Sequence, residues 1–148
     1  MITGLFFIGV FPKRLELLKE VRQQAATFGY LLNAQNPGIP QFRRVADDAA
    51  RAFGLKLEIV EVKEPSELAD ALGRLASLKV GGLVIMPDPV FSSNAVAIAE
   101  LARAHKLPSV CDDRAFVDAG CLFALSINYP AMATRRKHHD WNGRRRLL

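Results

Sequence analysis

Four short apolar segments, centred near Leu31, Leu57, Leu83 and Ser109, recur at about 26 residues, the length of one strand, one helix and two short loops. Between them run stripes at helical spacing: Val45, Ala49, Ala52 and Phe53, then Leu68, Ala71, Leu72 and Leu75, then a helix over about Asn94 to His105. Strands that alternate with helices must lie parallel and be joined by right-handed crossovers. The chain is therefore expected to be α/β, a three-layer open and mostly parallel sheet with helices on both faces, of Rossmann or flavodoxin-like form. No residue-level repeat accompanies the interval, so it reflects architecture and not a solenoid.

Local punctuation supports this reading. Leu15, Leu18, Val21 and Ala25 mark a first helix, expected to end near Gly29 as a C-terminal cap, with a strand at Tyr30 to Leu32 and a turn at Asn33 to Gly38. Gly54 stops the second helix, and Ser66 is the expected N-cap of the third. Gly82 to Met86 reads as a fully buried strand broken by Pro87-Asp88-Pro89, since neither proline can donate to a ladder. A strand at Ser109 to Cys111, a helical turn about Phe116 and a last strand over Leu122 to Ser126 complete the pattern. Residues 1–134 are expected to form one domain, and 135–148 a basic tail, frayed or disordered.

The formal charge of +5 hints at nucleic acid until it is located. Six of the 20 basic residues and one of the 15 acidic ones fall in 135–148, so that stretch carries the whole excess and the rest of the chain is neutral. A basic tail without a basic face is a poor nucleic-acid signal, and no nucleic-acid partner is expected. Cys111 and Cys121 lie in apolar stretches and read as buried free thiols. The apolar run from Ile2 to Phe11 has no basic residue before it and Lys13 and Arg14 after it, the reverse of an export signal, and it is too short to span a bilayer.

In open α/β sheets, ligands bind beyond the carboxyl ends of the strands. Those ends here are Asn33 to Gly38, Pro87 to Ser93, Asp112 to Arg114 and Ser126 to Asn128. Each polar residue there also has an ordinary role in a turn or cap. The sequence contains no GxGxxG after its first strand, no GxxxxGK[ST] and no G-x-S-x-G elbow, so no cofactor and no catalytic residue is expected. His138 and His139 are adjacent and lack further ligands at suitable spacing, so no metal site is expected. A phosphoryl-accepting receiver domain would need an acidic pair after its first strand, where this chain has Asn33, and a lysine after its last, where none lies between Lys106 and Lys137. Carboxylates and amides without such machinery suit recognition of a small polar molecule, for example an amino group by Asp88.

Several stretches carry a family resemblance in order and spacing. Thr3-Gly4 with Lys13 to Glu20, Asn33-Ala34-Gln35-Asn36-Pro37, Leu83 to Pro89, and Leu107-Pro108-Ser109-Val110 with Arg114, Phe116, Ala119 and Gly120 together resemble the second lobe of ABC-transporter substrate-binding proteins related to tryptophan and phenylalanine binders. The resemblance runs from about Ile2 to Thr134. It implies one lobe of a periplasmic-binding-protein type I fold, in which two α/β lobes close on a ligand and present it to a membrane permease. It further implies that Asn33, Asn36, Asp88, Asp112, Asp113 and Arg114 line the cleft, and that the ligand is a small organic molecule such as an amino acid.

Departures from the family are also visible. A preceding lobe and a C-terminal helix have no counterpart in these residues, Cys121 replaces a glycine, and Ala124-Leu125-Ser126 replaces a small-Tyr-Gly group. The first expectation is thus a non-catalytic, truncated binding lobe. The alternatives are a remnant domain acting through self-association as a homodimer, and a small flavodoxin-like enzyme. The family works outside the cytoplasmic membrane, yet these residues show no signal peptide, which leaves the compartment open.

Overall fold

The computed structural model describes residues 2–111, 114–120, 123–124, 134–135, 138–139 and 145–146, with side chains described for 11–111, 116 and 118–120. Helix α1 (Ile2–Val21) leads into β1 (Thr27–Asn33), α2 (Ile39–Phe53) and β2 (Lys56–Val62). A 3-10 turn (Pro65–Glu67) opens α3 (Leu68–Ser77), which is followed by β3 (Leu83–Ile85), α4 (Pro89–Ser93) and α5 (Ala95–Ala104). The chain continues through β4 (Ser109–Cys111), α6 (Arg114–Ala119), β5 (Phe123–Ala124) and β6 (Thr134–Arg135). A two-stranded pair, β7 (His138–His139) and β8 (Arg145–Arg146), lies within the basic tail.

The sheet runs β2-β1-β3-β4-β5-β6, parallel throughout except for the antiparallel β5–β6 pair. The order 2-1-3-4-5 is that of a flavodoxin-like sheet, whose direction of winding reverses between β1 and β3. Strand β3 and strand β4 are wholly buried, as is β1 after its first residue, which is why they read as unbroken apolar runs and not as alternating ones. Side chains of β1 alternate between two helical layers. Tyr30 meets Phe11 of α1, ring centroids 4.6 Å apart, whereas a Cβ on Gly29 would lie 3.0 Å from the side chain of Leu75 of α3. Burial pushes ionisation of the Tyr30 hydroxyl well above its ordinary value, and the Arg14 guanidinium draws it partly back.

Three local expectations are corrected. Helix α1 begins at Ile2 and ends at Val21, so Gly29 is no cap; it sits inside β1, where its missing side chain admits Leu75. Ser66 caps nothing: it lies inside the 3-10 turn, and Glu67 occupies the N-cap position of α3 without a side-chain bond. Cys111 is disulfide-bonded and not a free thiol, while Cys121 lies outside the described residues. Other boundaries agree closely, including Gly54, whose φ of 68° closes α2 in a left-handed cap. Of the strand expected over Leu122 to Ser126, Phe123–Ala124 is described. Among the described residues no helix is long and apolar enough to cross a membrane.

Candidate functional site

Strand β1 ends on Asn33 and β3 turns at Pro87-Asp88, so both run out at the same end of the sheet, at its topological switch point. Proline on either side of Asp88 removes the neighbouring backbone donors and holds the residue extended, with φ −160° and ψ 135°. From there its carboxylate reaches three donors. Oδ1 accepts from the Val90 amide at 2.8 Å, capping α4, and from Asn33 Nδ2 at 3.1 Å; Oδ2 accepts from Asn36 Nδ2 at 2.8 Å.

The two asparagines are oriented from their other ends. Asn33 Oδ1 accepts from the Gln35 amide at 3.0 Å, and Asn36 Oδ1 accepts from the Gly38 amide at 2.7 Å, so consecutive Asx turns carry the chain into α2. A carboxylate only accepts and a backbone amide only donates, which fixes each carboxamide with its nitrogen toward Asp88. Asn33 and Asp88 are 7% and 6% exposed, so the bond between them is desolvated and not exchanged cheaply for water, while Asn36 is half-buried at the edge of the network. Asn33 also donates its backbone N–H to the Met86 thioether at 3.1 Å, a partner that sequence pattern does not reveal.

The structure thus brings Asn33, Asn36 and Asp88 into one cluster. Asp112 and Asp113 lie outside the described residues, and Arg114 opens α6 with its side chain likewise outside them. Because β4 pairs with β3, the chain leaves Cys111 at the same end of the sheet as Asp88. The Asp88 carboxylate, expected to suit a ligand amino group, is largely engaged within the chain. A carboxylate offers about four lone-pair positions, and three here are taken from within the chain. What remains is one acceptor position on Asp88 and one unused N–H on each carboxamide.

An open groove of about 640 Å³, lined by Val21, Arg22, Gln23, Gln24, Ala25, Val80, Gly81 and Lys106, lies at the opposite end of the sheet, away from this cluster. Among the described residues no three His, Cys, Asp or Glu side chains gather to hold a metal ion.

Residues 1–136 match the family model described as ABC transporter substrate binding protein. No curated protein matches the chain. Among solved structures, it is similar to the ABC domain in complex with L-Trp from Streptococcus pneumoniae (TM-score 0.71, 22% identity, covering 78% of this chain and 40% of that one). It is also similar to a ligand-free, open substrate-binding protein with adhesive properties from Clostridium difficile (TM-score 0.70, 23% identity, 81% and 40%) and to a conserved domain protein from Vibrio cholerae (TM-score 0.70, 18% identity, 78% and 38%). The chain spans about 40% of the length of these structures, the extent of a single lobe of a periplasmic-binding-protein type I fold.

Proposed function

The chain belongs to the ABC transporter substrate-binding protein family, and from that premise we propose that the β1/β3 end of its sheet is one wall of a non-catalytic cleft for an amino-acid-like molecule. The carrying observation is the valence left over by the Asn33–Asn36–Asp88 network. Two carboxamide N–H donors beside one carboxylate acceptor complement a head group that combines a carboxylate with an ammonium. The relative from Streptococcus pneumoniae with bound L-Trp supports the same class of ligand. Asp112, Asp113 and Arg114, which follow the adjacent strand β4, are proposed to complete this wall. An ABC permease is the proposed recipient of the ligand. The disulfide at Cys111 fits an oxidising compartment outside the cytoplasmic membrane.

Thermal-shift titration with L-tryptophan, L-phenylalanine and other amino acids tests the reading. A ligand present at about a hundred times its dissociation constant adds roughly 2.7 kcal/mol of stability. The expected result is a rise in Tm for at least one amino acid that Asn36→Ala abolishes, because that variant deletes a donor with little loss of packing. A flat response across the panel sinks the proposal. A second reading, association through this face, is favoured by Val90 and Val96, 37% and 61% exposed on α4 and α5 beside the cluster. Analytical ultracentrifugation separates the two: a concentration-dependent dimer that Val96→Glu dissolves supports association.

A further inference from the structure

We propose that Met86 is a positioning residue, whose thioether holds Asn33 in place for Asp88. Along β1 the backbone donors alternate between neighbours. Gly29 donates to the Gly82 carbonyl of the β3 side at 2.8 Å, and Ala34 donates to Val62 of β2 at 2.7 Å. The register Leu31↔Ile85 carries this alternation forward, and Met86 returns a bond to the Leu31 carbonyl at 3.1 Å. The next donor facing β3 is the Asn33 amide, which a continued parallel ladder would pair with the Met86 carbonyl. The ladder ends there, because β3 stops at Ile85 and Pro87 fixes the backbone that follows Met86 as the chain turns toward α4. The Met86 Sδ accepts the Asn33 N–H instead, at 3.1 Å, from a side chain with no exposed surface.

One residue therefore fixes both strands as they enter the site. Its backbone N–H anchors to β1, its sulfur holds the last residue of β1, and two positions later the same chain presents Asp88. A carbon in place of the sulfur would fill the space but leave a desolvated N–H without an acceptor, so Asn33 would shift to find one. Leucine at this position tests that separation, since exchanging methionine for leucine in a core is among the best tolerated changes of shape.

The first arm needs no ligand. In Met86→Leu, hydrogen exchange at the Asn33 amide should accelerate about five- to tenfold, the scale of one net hydrogen bond, while Leu31 and Val84 keep their wild-type rates. The Nδ2 proton resonances of Asn33 and Asn36 should shift with it. Protein labelled with selenomethionine, which folds with the wild-type sequence, should retain slow exchange at Asn33 and show scalar coupling between that amide proton and selenium. Unchanged exchange at Asn33, acceleration spread evenly over β1 and β3, or an absent coupling would each reduce Met86 to a filler of space and overturn the proposal. The second arm rests on the cleft reading: L-tryptophan affinity should fall several-fold in Met86→Leu. If wild-type protein fails to bind L-tryptophan, the cleft reading fails while the first arm still decides the role of Met86.

Discussion

The two ends of the sheet use the same strands for opposite purposes. At the carboxyl ends of β1 and β3, buried Asn33 and Asp88, with Asn36, exhaust most of their hydrogen-bonding capacity on one another and on three backbone amides, Asn33 adding its own N–H to Met86. At the amino ends the helices run out. Helices α2, α3 and α5 close in one shared motif, with Gly54, Lys79 and Lys106 at φ of 68°, 59° and 57°. Lys19 there donates to the carbonyls of Gln23 and Ala25 at 2.6 and 2.8 Å, as suits a cation at the negative end of a helix. The open groove is found at this second end, yet its cations are explained by the helix termini they neutralise. Desolvated polar groups, which cost stability unless satisfied, gather instead at the end where the cleft is proposed.

The largest expected effect tests the carboxyl end. Asp88→Ala removes the acceptor of three hydrogen bonds and strands a buried carboxamide, so urea denaturation should show a loss of about 3 kcal/mol, against less than about 0.5 kcal/mol for Arg22→Ala in the groove. Similar losses for the two variants would break the comparison. The next effect shows that the amino end is sensitive to packing although its polar groups are not. A Cβ on Gly82 would come within 2.7 Å of Leu18 Cδ1 and 2.9 Å of the Pro108 carbonyl oxygen, and backbone cannot step aside. Gly82→Ala should therefore cost about 2 kcal/mol, measured the same way, without changing ligand response.

Tyr30, midway along β1, supplies a reference that belongs to neither end. Its folded-state pKa lies above the unfolded value, chiefly through burial, so the folded chain holds that proton the more tightly. Stability from this source is complete below the unfolded value of about 10 and declines as pH rises toward the folded one, by up to about 1.4 kcal/mol per pH unit. Urea midpoints measured from pH 9 to 11 should fall more steeply for the wild type than for Tyr30→Phe. Parallel curves would mean that the hydroxyl is hydrated.

Legibility from sequence followed the same division. The parallel sheet was readable because β1, β3 and β4 are buried on both faces and so are largely apolar, and because Gly54 closes α2 and Pro87 ends the apolar run of β3. Asn33, Asn36 and Asp88 were singled out by the rule for strand ends, which names candidates but not the bonds among them. Their mutual pairing depends on the β1–β3 register, a long-range fact that local pattern does not contain. Met86 escaped for that reason: in sequence it is one more apolar residue of a buried strand, and only the halt of the ladder at Pro87 turns its sulfur into an acceptor. Gly29 and Ser66 misled because glycine and serine favour helix ends on average, whereas here one admits Leu75 and the other lies inside a 3-10 turn.

The smallest effect asks why lysine occupies two caps where α2 has glycine. A left-handed conformation costs a residue with a side chain about 1 kcal/mol, and a cation at a helix C-terminus returns about 0.3–1 kcal/mol. Glycine removes the strain and the charge together, and it also loosens the unfolded chain. The balance for Lys106→Gly should be a gain of about 0.5 kcal/mol, with Lys106→Ala, which loses the charge and keeps the strain, below the wild type. Denaturation in low and high salt isolates the charge, because screening weakens the dipole interaction and leaves the backbone strain untouched. If Lys106→Gly instead lowers stability at low salt and recovers at high salt, the charge outweighs the strain. The lysines would then be the amino end's counterpart to the buried network: a surface, screenable device at one end of the sheet, set against a desolvated one at the other.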